Sequence, residues 1–91
     1  MMIFIPTPLR RYAAGQDTVD VTAGTVAEAL DELMRAHPDL RQHLFTADGK
    51  LRAFVNLYLN DEDVRYLPDK ESTAVTAADT LSIVPSIAGG D

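Results

Sequence analysis

Ninety-one residues make one small domain, and with no cysteine there is no disulfide scaffold, thiolate metal site or cysteine nucleophile, so packing alone must stabilise it. A balance of 46% hydrophobic and 24% charged residues is that of an ordinary globular chain and does not favour disorder. The formal charge of −6 argues against binding a phosphate backbone and suits a partner with a basic surface, although most acidic surfaces merely hold water.

The opening MMIFIP carries five apolar residues before a proline and no basic start, so it does not read as a secretory signal. Nothing approaches the ~20 apolar residues of a membrane span. A cytoplasmic protein with no membrane or nucleic-acid partner is therefore the expectation. Met2 to Ile5, stopped by Pro6 and Pro8, reads as a short buried strand. Asp17 to Thr22 alternates, with Val19 and Val21 on one face, and Gly15 in the connection makes a hairpin plausible.

Thr25 followed by Glu28 is a capping box, which satisfies free N–H groups at a helix start. Val26, Ala29, Leu30, Leu33 and Met34 then recur at helical spacing until Pro38. The spacing predicts one amphipathic helix of roughly three turns, with Asp31, Glu32 and Arg35 towards water. Leu40, Leu44 and Phe45 punctuate a polar connection and are expected to plug the core edge; Asp48-Gly49 is a turn signal. In the stretch after it, Ala53, Val55, Leu57 and Leu59 fall on one strand face and Phe54, Asn56 and Tyr58 on the other. Asn60-Asp61 starts a turn, and Val64 to Leu67 is expected to return as a short strand. The last strand, Thr80 to Pro85, puts Leu81 and Ile83 inward.

This order of strand, strand, helix, strand, short strand, strand predicts an α+β arrangement: one helix across one face of a mixed sheet, the other face solvated. Val26, Leu30, Leu33, Val55, Leu57, Leu81 and Ile83 are the expected core. Phe54, Tyr58 and Val84, with Ile87 beyond the strand, form an apolar outward set. Such a set marks a docking face unless another loop covers it or the two faces are reversed.

Other clusters point to little chemistry. His37 and His43 are six apart across a proline, with Asp39 between, which is not a familiar zinc spacing. The acid-rich DEDVRYLPDKE lacks the glycine of a calcium loop and has Arg65 at a ligand position. Asp61, Glu62 and Asp63 are adjacent rather than arranged as an acid/base pair, and Arg10-Arg11 is a small basic patch for nucleic acid. There is no glycine-rich phosphate loop.

IPTPLR near the start, GKLRAFVNLYLNDEDVRYL in the middle and LSIVPSIAGG at the end carry a resemblance. Together they resemble the MoaD/ThiS family of ubiquitin-like sulfur carriers, and within it the CysO-like carriers of cysteine biosynthesis. A terminal Gly-Gly alone is a weak signal; its position after an apolar strand, with the central motif, is more specific. The resemblance implies a β-grasp domain over residues 1–85 and a flexible tail over 86–91. It implies a protein substrate, not an enzyme. The carboxylate of Gly90 would be adenylated by a ThiF/MoeB-like activating enzyme, which uses ATP and a sulfur source; no cofactor would be bound by the chain itself. The resulting thiocarboxylate would serve a partner such as a cysteine-synthase-like enzyme, with a JAMM-type metalloprotease releasing the product.

The residues suit that chemistry. Ser86 to Asp91 can reach roughly 20 Å into a partner when extended. Gly89 and Gly90 lack a Cβ and can pass a narrow channel. Asp91 departs from the family pattern, because while it is attached Gly90 is an amide. Asp91 then reads as a cap on a precursor; the competing reading is a frayed chain end. A small subunit of a molybdopterin-synthase-like complex and a conjugating tag are the alternative functions. The acceptor metabolite is not written in the sequence.

Overall fold

Burial alternates along the first strand even though every residue in it is apolar. In this computed structural model, which describes residues 1–85, strand β1 covers Met2–Phe4. Ile3 is fully buried and Ile5, just beyond, nearly so, while Met2 and Phe4 stay 42% and 45% exposed. The expectation of a strand buried throughout is corrected: only one face of the sheet is covered, so parity divides the run. Pro6 ends β1, and a 3-10 helix follows over Thr7–Ala13. Ala14 and Gly15 then turn the chain with φ of 56° and 77°. Strand β2, Thr18–Asp20, returns antiparallel with Val19 opposite Ile3. The hairpin is present, with a helical segment inside its loop.

Helix α1 runs Val26–Ala36. Thr25 Oγ1 accepts from the Glu28 N–H at 3.2 Å, as the capping box requires. The Glu28 carboxylate reaches one residue further back than usual and accepts from the Gly24 N–H at 2.8 Å. A Cβ at Gly24 would stand 3.0 Å from that same oxygen, so glycine admits the contact. Val26, Ala29, Leu30, Leu33 and Met34 are all buried against the sheet. His37 closes the helix with its N–H on the Leu33 carbonyl. After a 3-10 turn at Pro38–Leu40 comes the single turn α2, Arg41–Leu44; Leu40 and Leu44 are fully buried and close the core edge.

Strand β3, Val55–Leu59, buries alternate residues. Ala53 and Phe54 lie in the turn before it, and Ala53 is exposed, which corrects its expected inward place. Strand β4 is only Glu62–Asp63. The returning strand expected at Val64 to Leu67 is instead a 3-10 turn, Val64–Tyr66, because the Asp63 carboxylate caps the Arg65 N–H at 2.9 Å and bends the chain. Strand β5, Thr80–Pro85, lies in the middle: order β2-β1-β5-β3-β4, parallel to β1 and antiparallel to β3. Leu81 sits beside Ile3, and Ile83 beside Leu57. All seven residues expected in the core are there, and among the described residues no polar or charged one is buried. This is the α+β, β-grasp arrangement.

A polar knot fastens the start of β5. Asn60 adopts φ of 58°, and its amide donates to Asp79 Oδ1 at 3.1 Å and accepts from the Thr80 N–H at 3.1 Å. Asp79 also accepts from the Thr76 N–H at 2.8 Å. The Thr76 backbone bond, then the Asn60 amide, hold the Asp79 carboxyl below its ordinary value of 3.8. Because the folded pKa is depressed, this knot stabilises the fold above pH 3.8, and its contribution is lost as pH falls from there through the folded value. Asp79→Asn is expected to lose less stability than the parent between neutral pH and the acid side of that window, read by urea unfolding at each pH. Leu57→Ala is expected to cost roughly 2–5 kcal/mol in the same measurement at neutral pH.

Candidate docking face and tail root

The face of the sheet away from α1 is open. Along β5, Leu81 and Ile83 point in, so Ser82 and Val84 point out. Register sets their neighbours: Phe4 and Tyr58 flank Ser82, and Asn56 lies opposite Val84. The small Ser82 thus separates two aromatic rings on strands roughly 10 Å apart. Val84 is 42% exposed, Tyr58 and Asn56 half-buried. Phe54 is 48% exposed but stands at the strand's end, not in its row. Phe4 and Met2 belong to this face and are missed by reading β1 as buried on both sides. The signal for them is their parity against Ile3 and Ile5. Tyr66, 82% exposed in the turn after β4, is another exposed aromatic outside the expected set.

Where β5 ends, Pro85, Phe54, Val55, Leu9, His43 and Arg52 line a groove of about 370 Å³. This is the root of the tail. Ile87, Gly89, Gly90 and Asp91 lie outside the described residues.

The remaining candidates resolve into structural contacts. His43 stacks on Tyr12 with ring centroids 4.0 Å apart. Among the described residues no group of three or more histidine or acidic side chains could hold a metal. In the acid-rich hairpin, the Arg65 guanidinium 2.9 Å from Asp63 holds that carboxyl below the usual carboxylate range; the Arg65 side chain is open to water, whereas that of Asp63 is largely covered, at 11% exposed. Among the described residues no helix is long and apolar enough to cross a membrane.

A five-stranded mixed sheet with one helix across it, an open face and β5 running out to the tail defines a ubiquitin-like β-grasp protein. The chain belongs to the ThiS family, whose model matches residues 3–90. It is 36% identical to the sulfur carrier protein CysO of Mycobacterium tuberculosis, covering 97% of this chain and 96% of that protein. It is also 36% identical to small archaeal modifier protein 1 of Haloferax volcanii, covering 85% and 86%. Among solved structures, the Amycolatopsis orientalis BexX/CysO complex contains a chain that superposes with a TM-score of 0.85 at 37% identity, covering 98% of each. Crystalline CysO of Mycobacterium tuberculosis gives 0.83 at 33%, covering 93% and 97%.

An open face can change without loss of the fold. Phe4→Ser and Val84→Ser are each expected to shift stability by no more than about 1 kcal/mol, against several for Ile3→Ala, in urea unfolding.

Proposed function

We propose that this chain is a sulfur carrier whose reacting end is the carboxyl group of Gly90. The observation that carries the reading is the family match, which runs through both terminal glycines and stops at Gly90. The identity to a protein named as a sulfur carrier, over nearly all of both chains, supports it.

A carboxylate is a poor electrophile. A ThiF/MoeB-like enzyme would join Gly90 to AMP from ATP, releasing pyrophosphate, and a sulfide equivalent would then displace AMP to leave a thiocarboxylate. The chain itself supplies no catalyst; it presents its end. A cysteine-synthase-like acceptor enzyme is the proposed destination and the cytoplasm the proposed setting. The open face, with Phe54, Tyr58 and Val84, and Ile87 beyond it, is the proposed contact for these partners. The structural relative caught in a BexX/CysO complex favours docking of this kind.

Whatever follows Gly90 must first be removed, because an amide offers no carboxylate oxygen to adenylate. A JAMM-type metalloprotease would cut before Asp91, using a zinc-bound water of its own. A tag that forms isopeptide bonds is the second reading, and the relative named as a modifier protein favours it.

Intact-mass measurement after incubation with activating enzyme, ATP and a sulfur source tests the proposal. The chain ending at Gly90 is expected to exchange oxygen for sulfur without the protease; the chain retaining Asp91 is expected to require it. Sulfur at the terminus with Asp91 still attached would overturn the precursor reading. A ladder of larger conjugates in place of the exchange would favour the tag. Phe54→Ala with Val84→Ala is expected to weaken binding to the activating enzyme by about 2 kcal/mol or more, by calorimetry.

A further inference from the structure

The charge of this chain is unevenly placed. Its net charge is −6, yet four of its eight basic residues, Arg10, Arg11, Arg41 and Arg52, lie on the elements around the tail root. Arg52 lines the groove, and its Nε donates to the Gln42 carbonyl at 3.1 Å. Arg41 shares the adjoining hollow with it, as does Asp39. Arg11, which lines neither hollow, lies 5.9 Å from the centre of the Tyr12 ring, and Tyr12 stacks on His43, a lining residue of the groove. Among the described residues none of these four arginines is within 4.0 Å of a carboxylate, and no acidic side chain lines the groove itself. Its floor is apolar: Leu9, Phe54, Val55 and Pro85.

We propose that this groove binds a protein segment in which an apolar side chain is flanked by carboxylates, the apolar group on Leu9, Phe54 and Pro85 and the carboxylates on Arg11, Arg41 and Arg52. The surface shares Phe54 with the proposed partner contact but otherwise lies off the Phe4, Ser82 and Tyr58 row of the open sheet face, and the proposal holds whatever the tail carries. Two features select a peptide over a nucleic acid. The apolar floor offers nothing to a phosphate, and the chain's overall negative charge repels a long polyanion beyond the contact. A partner holding this groove would also hold Pro85, the last residue of β5, and so would fix where the tail sets out.

The test is an amide-resolved NMR titration of the full chain with the hexapeptide acetyl-Glu-Asp-Leu-Phe-Asp-Glu-amide. Shifts are expected at Leu9, His43, Arg52, Phe54 and Val55, and should weaken as salt is raised. Arg11→Glu with Arg41→Glu is expected to weaken binding at least about fivefold, with an otherwise unchanged spectrum that reports an intact fold. These two side chains are exposed, so their reversal does not test stability. The same peptide with lysine at its acidic positions is expected not to bind. Three outcomes would overturn the proposal: no shifts up to about 1 mM peptide, shifts centred on Phe4, Ser82 and Tyr58 instead, or an affinity indifferent to the charge reversal.

Discussion

Everything in this molecule hangs on the placing of β5 between β1 and β3. Its inward residues Leu81 and Ile83 meet Ile3 on one side and Leu57 and Leu59 on the other, beneath an amphipathic helix. The same strand presents Ser82 and Val84 outward and then leads to the tail. One element therefore closes the core, builds the open face and ends at Pro85, where the tail begins in the sequence. The polar knot of Asn60, Asp79 and Thr80 starts it in register, since a slip by one residue would exchange Leu81 and Ile83 for Ser82 and Val84.

The helix and the two long strands are legible in the sequence because local and global preferences agree there. Thr25, Glu28 and Pro38 mark α1 at both ends, and the alternation of Val55 to Leu59 and Thr80 to Pro85 matches their burial. The failures come where side-chain pattern is silent. Met2 and Phe4 are as apolar as Ile3 and Ile5, so hydropathy cannot say that the sheet has only one covered face. Val64 to Leu67 has strand-like composition, but a backbone bond to the Asp63 carboxylate turns it. Ala53 keeps the right parity for an inward residue and simply precedes the ladder.

The open face was half legible. Tyr58 and Val84 follow from strand alternation, whereas Phe4 reaches the same row only through a parallel pairing with a strand remote in sequence. The basic groove was not legible at all. Leu9, His43, Arg52 and Pro85 come from four separate stretches, each unremarkable alone, and only the fold places them around one hollow. The two glycines, by contrast, carry their meaning through family likeness and not through geometry.

The parallel pairing of β1 with β5 also has a consequence in time. Ile3 and Leu81, neighbours in the sheet, are 78 residues apart along the chain, and β5 is synthesised after every other strand it joins. A nascent chain holding β1 to β4 has its two halves of sheet but no strand to join them. Loop closure over that span cannot be rewarded until β5 emerges, which places final folding after translation of the domain. The glycine end follows β5 directly. A chain that carries that end is thus one whose central strand has already been made, and the order of synthesis brings out the two glycines only when the whole β-grasp body can form.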